Sequence, residues 1–155
     1  MAKLYVNRAA AYANLENFDQ VIADCTKALS LDPDLALAYI NRAYAYNAKG
    51  SFELAIQDSN KAIEKGKNIA EAYVNRAYSY MSLGDLERAV ADCNEATELN
   101  PSLSQAYFHR AHAFKALGKI DEAIDDFNIY IRLSNNQELI EKAKQEIQEL
   151  TGEGK

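Results

Sequence analysis

Two sets of residues in this chain could do chemistry by type and spacing. His109 and His112 stand at i, i+3, so one helix face could hold a metal ion between their imidazoles. Cys25 and Cys93 are the only cysteines, and so the only candidates for a thiol nucleophile or a disulfide. Neither set is completed. A metal site needs more than two ligands, and no cysteine, third histidine or converging carboxylate joins the histidine pair. A reactive thiol needs a neighbouring base, and neither cysteine has a histidine at a matching position. The sequence also lacks a phosphate-binding glycine loop, a dinucleotide fingerprint, H-E-x-x-H and a nucleophile elbow. These residues predict no enzyme, no metal and no cofactor. They predict two reduced, buried thiols, as expected in the cytoplasm.

Other polar residues recur in step. Arg8, Arg42, Arg76 and Arg110 are each followed 16 residues later by Asp24, Asp58, Asp92 and Asp126. A guanidinium and a carboxylate in that relation can form a two-pronged ion pair. Asn7, Asn41 and Asn75 form another row, with His109 as its fourth member. A side-chain amide offers one acceptor and two donors, and so matches a peptide backbone whatever its sequence.

The step that positions all of these is 34 residues. Tyr5-Val6-Asn7-Arg8-Ala9 returns as Tyr39-Ile40-Asn41-Arg42-Ala43, Tyr73-Val74-Asn75-Arg76-Ala77 and Tyr107-Phe108-His109-Arg110-Ala111. The units run 2–35, 36–69, 70–103 and 104–137. In each, two runs of helical apolar spacing flank a break. Gly50, Gly84 and Gly118 mark that break, where a left-handed cap ends a helix. Unit one has Glu16-Asn17 there, and Asn17 is the residue expected to take the left-handed conformation. Asp32-Pro33 and Asn100-Pro101 close the second helix of units one and three, and Gly66 before Lys67 closes that of unit two. In an antiparallel hairpin turning near its fifteenth residue, each Arg lies opposite its Asp, and the pairs read as structural.

The chain resembles the tetratricopeptide repeat family. Its aromatic positions are Tyr5, Tyr39, Tyr73, Tyr107 and Tyr12, Tyr46, Tyr80, Phe114; its small ones are Ala9, Ala43, Ala77, Ala111 and Val21, Ala55, Ala89, Ala123. A later small position holds Ala28, Ala62 and Ala96, and Tyr130 departs from it. The resemblance implies an all-α, right-handed solenoid of four helix-turn-helix units. A capping helix over about 138–150 and a frayed tail over 151–155 complete the single domain.

The resemblance also implies a concave groove lined by each first helix. Its outward positions are Lys3, Val6, Asn7, Ala10 and Ala13; Leu37, Ile40, Asn41, Tyr44 and Asn47; Glu71, Val74, Asn75, Tyr78 and Met81; Gln105, Phe108, His109, His112 and Lys115. Asn7, Asn41, Asn75 and His109 would track a peptide, and Tyr44, Tyr78 and Phe108 would anchor it. Each Asn could instead bond within its own unit, and the tyrosines could pack on neighbours. The family's carboxylate clamp needs Lys and Asn on one repeat, Asn on the next and Lys and Arg on the third, at positions that hold Val6, Ala10, Asn41, Glu71, Asn75 in one frame and Ile40, Tyr44, Asn75, Gln105, His109 in the other. Each frame keeps one of the five clamp residues, so an acidic chaperone tail is not the expected ligand.

Over 155 residues the formal net charge is −6, which argues against a nucleic-acid partner, and no apolar run spans a membrane. The expected partner is an extended protein segment in the groove. Two alternatives stay open: self-association through the uncovered first repeat, and an excised or engineered array without a ligand of its own.

Overall fold

The computed structural model describes residues 1–66 and 69–152. Among the described residues, nine helices follow one another: α1 (Ala2–Asn14), α2 (Phe18–Leu31), α3 (Ala36–Ala48), α4 (Phe52–Lys65), α5 (Ala70–Ser82), α6 (Leu86–Leu99), α7 (Ser104–Ala116), α8 (Ile120–Leu133) and α9 (Gln137–Thr151). Among the described residues there is no strand. Consecutive helices pair as hairpins, and the hairpins stack in chain order into an α-solenoid.

Backbone chemistry sets the hairpin turns. Gly50, Gly84 and Gly118 adopt φ of 73°, 83° and 73°, the left-handed region that ends a helix. In the first hairpin this conformation falls on Glu16, at φ 55°, and not on Asn17. Asn17 instead caps α2, its side chain accepting from the Gln20 N–H. The turn geometry is set by the stack, and Asn17 is one residue too late to serve it. At the far ends, Asp32 and Asn100 are extended, as a residue before proline must be, and their side chains accept from the N–H groups of Asp34 and Ser102. Gly66 ends α4 in extended backbone; Lys67 lies outside the described residues.

Alanine lets the helices approach closely. Within hairpins, Ala9 packs with Val21, Ala77 with Ala89 and Ala111 with Ala123, and Ala43 and Ala55 are buried at the equivalent positions. Between hairpins, Ala28 packs on Ala38, Ala62 on Ala72 and Ala96 on Ala106. The core is therefore a chain of small clusters along the stack. At the end of the stack the small position becomes Tyr130, which is buried with Phe127 under Ala143 of α9. Leu139, Ile140, Ile147 and Leu150 of α9 pack on the same cluster. Thr151 is still helical, and Gly152 caps α9 at φ 74°. Of the tail expected to fray, residues 153–155 lie outside the described residues.

Each arginine grips its aspartate across the hairpin with two bonds. The Arg42 Nε and Nη2 donate to Asp58 at 2.6 and 2.8 Å, and Arg8–Asp24, Arg76–Asp92 and Arg110–Asp126 repeat this geometry. A third donor, Nη1, crosses to the preceding hairpin: Arg42 to Thr26 at 2.9 Å, Arg76 to Asn60 at 2.6 Å and Arg110 to Asn94 at 2.7 Å. Arg42, Arg76 and Arg110 thus tie three helices each. Hydrogen bonding to the aspartate, the largest cause, raises every one of these guanidinium pKa values. The Arg8 side chain is 57% exposed against 17% for Arg42.

Candidate functional site

The inner helices α3, α5 and α7 stand side by side and leave a cavity of about 430 Å³ between them. Asn41, Tyr44, Glu71, Asn75, Tyr78 and His109 line it, together with Ile40, Asn47, Ala48, Val74 and Gln105. Ile40 and Val74 are almost wholly buried and form its apolar floor.

A polar network fixes that floor. The Asn47 Nδ2 donates to the backbone carbonyl of Asn75 at 2.8 Å, and the Asn75 Nδ2 donates to the carbonyl of Ile40 at 3.2 Å. The Ser79 hydroxyl donates to Asn47 Oδ1 at 2.6 Å. Asn47 is buried, so these bonds replace the water it has lost. Asn75 bonds to the preceding hairpin, not within its own unit, and half of its amide is engaged there. Asn41 and Asn7 make no side-chain hydrogen bond to the described residues.

The aromatic walls are both packed and open. Tyr44 meets Phe18 edge-on at 5.9 Å and remains 47% exposed; Tyr78 meets Phe52 at 6.3 Å and His109 at 5.4 Å and remains 36% exposed. Burial, helped by the neighbouring His112, pushes the His109 pKa down to about 4, so this imidazole is neutral at pH 7.

Among the residues read from the sequence as groove lining, Asn7, Phe108, His112 and Lys115 do not line the cavity. Asn7 is exposed on α1, beyond the cavity. Phe108 packs on Tyr130 at 4.8 Å and on Phe127, in the cluster that α9 covers. His112 sits edge-on to Phe108 at 4.6 Å and to Phe127 at 5.1 Å. Lys115 is paired with Glu146 and Glu149 of α9. The physical reason is common to these last three: α9 closes the stack where a groove would continue. Asn47, read as an outward groove position, lines the cavity but is buried, its amide bridging to the next hairpin. Its signal was the Ser79 one hydrogen bond away, where other units hold alanine.

Neither thiol is poised to react. Cys25 and Cys93 are fully buried, and burial pushes both pKa values up to about 12. Among the described residues, no three His, Cys, Asp or Glu side chains converge as metal ligands. No described helix is long and apolar enough to cross a membrane.

Stacked helical hairpins with alanine crossings and an inner cavity define a repeat solenoid of the protein-interaction class. Profiles described as tetratricopeptide repeat match residues 2–35, 25–57, 70–103 and 104–137, and the chain belongs to the tetratricopeptide repeat family. Among solved structures, it is similar to the first TPR domain of human RPAP3, at 30% identity and TM-score 0.70, over 77% of this chain and 92% of that one. The first TPR of Spaghetti (RPAP3), bound to the HSP90 peptide SRMEEVD, matches at 30% identity and TM-score 0.69, over 76% of this chain and 91% of that one. TTC0263, a thermophilic TPR protein of Thermus thermophilus, shares the fold at 19% identity and TM-score 0.85, over 99% of this chain and 84% of that one. The curated proteins contain no match.

Proposed function

We propose that this chain is a non-enzymatic module that holds an extended segment of a partner protein across α3, α5 and α7. The observation that carries the reading is the cavity itself, with the open rings of Tyr44 and Tyr78 beside the uncommitted amide of Asn41. Aromatic rings supply rigid contact area, and amides pair with a backbone that stays extended. A displayed peptide library selected against the folded chain tests this. Selected peptides should lose roughly tenfold in affinity, the scale of one interface anchor, on Asn41→Ala or Tyr78→Ala, and nothing on Leu54→Ala at the outer surface. Equal affinity for all three variants would move the site off the inner face.

The ligand we propose is not the acidic chaperone tail seen with the RPAP3 domain. Glu71, Asn75, Gln105 and His109 occupy the third-repeat clamp positions and the lysine and arginine of that mode are missing. A terminal carboxylate would be desolvated there without a cation. Titrating SRMEEVD into the protein should give no saturable heat.

A second reading, scaffolding through α1, is favoured by one observation. Leu4 and Leu15 are 68% and 74% exposed, whereas alanines equivalent to Leu4 (Ala38, Ala72, Ala106) are fully covered by the preceding hairpin. Sedimentation over a concentration series, with Leu4→Glu as control, separates the readings: a monomer throughout eliminates scaffolding by self-association.

A further inference from the structure

The bonds that fix the cavity floor also bias its chemistry. Carbonyl oxygens only accept, so it is the amide nitrogens of Asn47 and Asn75 that face Asn75 O and Ile40 O. That leaves Asn75 Oδ1, an acceptor, without a partner among the described residues. Asn41, Gln105 and the two phenols offer donors and acceptors alike, and do not discriminate. Glu71 does. It is exposed at the rim, is the one lining residue with a formal charge at pH 7, and makes no ion pair with the described residues. Among the described residues, Arg42 and Arg76 are engaged with Asp58 and Asp92, and Lys115 with α9. His109 adds no positive charge, because burial keeps it neutral. Tyr44 and Tyr78 complete the surroundings with exposed rings, whose faces attract cations.

We propose that this cavity receives the positively charged side chain, lysine or arginine, of the extended partner segment. The cation lies between Glu71 and the two tyrosine rings and donates to Asn75 Oδ1. An acidic side chain there would face Glu71 across a partly desolvated gap, and an aliphatic one would strip water from Glu71 and Asn75 without replacing its hydrogen bonds. The inference rests on the peptide-groove reading and adds the charge of the residue that the groove selects.

The test uses four blocked pentapeptides, acetyl-Val-Ser-Xaa-Ser-Val-amide, with Arg, Lys, Leu or Glu at the centre. Each is titrated into the isotope-labelled full chain and followed by the backbone amide signals of Asn41, Asn75 and His109. The Arg and Lys peptides should bind roughly tenfold tighter than the Leu and Glu peptides, the scale of one charge-assisted hydrogen bond. Glu71→Gln, a change on an exposed helix surface that leaves helicity intact, should erase the difference. Equal binding of all four, tighter binding of the Glu peptide, or a preference that survives Glu71→Gln overturns the proposed cation site and leaves the groove standing. If no peptide perturbs those signals, the groove reading falls and the cation site with it.

Discussion

The side-chain amide of Asn47 reaches across the boundary between the second and third hairpins and donates to the backbone carbonyl of Asn75 at 2.8 Å. The Asn75 amide returns the contact to Ile40, two turns before Asn47 on the same helix. At the corresponding positions elsewhere the partner of the Asn row is Ala13, facing Asn41, or Met81, facing His109. Asn47→Ala would remove two hydrogen bonds across the hairpin boundary, leaving the Ser79 hydroxyl to donate to the Asn75 carbonyl 3.0 Å away. A loss of about 1–2 kcal/mol in urea unfolding is expected, the scale of the hydrogen bonds removed. Asn41→Ala, which breaks no hydrogen bond, should stay within about 0.5 kcal/mol of the parent. Equal effects of the two would show that the network does not stabilise the stack.

The arginine pairs should differ by position. Asp58→Asn strips a buried carboxylate from a guanidinium that also serves the neighbouring hairpin, and should destabilise by about 3 kcal/mol, as when one partner of a buried pair is removed. Asp24→Asn should do less harm, because water already reaches much of Arg8. Matched urea curves decide the order, and the reverse order would contradict the geometry.

Glu16 occupies left-handed backbone where the other hairpins have glycine. A side chain there carries a steric penalty of roughly 1–2 kcal/mol. Glu16→Gly should therefore raise the unfolding free energy by about 1 kcal/mol. Gly50→Ala should lower it by about as much, through its φ of 73° alone, since nothing lies within 4 Å of the added carbon.

Acid should unfold the chain partly through His109. In the unfolded chain this group titrates near 6.5, in the folded chain at about 4, so between those values only the unfolded state takes up its proton. Stability from this group is complete above pH 6.5 and falls as pH drops towards 4. His112, also lowered mainly by burial, acts in the same direction, with Glu146, Lys142 and Lys115 facing it. Thermal melts at pH 7 and pH 4.5 should show a smaller acid loss for His109→Gln than for the parent. An equal loss would mean that the imidazole is protonated in the folded protein.

Much of the fold was legible because it is local. The 34-residue step, the helical apolar spacing and the glycines at the turns each follow from contacts within one hairpin or its neighbour. So does the 16-residue offset between Arg8 and Asp24, since two antiparallel helices joined by a short turn leave few places for a guanidinium to go. Glu16 was misread for the opposite reason: residue preference favoured Asn17, but the required conformation falls where the stack puts it.

From its residues alone, the chain declared that it is a stack of helical hairpins, that alanines let those hairpins touch, and that its inner helices carry amides and rings in step. Only the tertiary structure decided which of those groups face open space. Asn47 and Asn75 spend donors on backbone carbonyls of adjacent hairpins, while Phe108 and His112 pack on rings of α8 and Lys115 pairs with the helix that breaks the repeat. Periodicity assigns a residue to a face of its own helix; what covers that face depends on a partner element distant in sequence, and no repeat pattern specifies it.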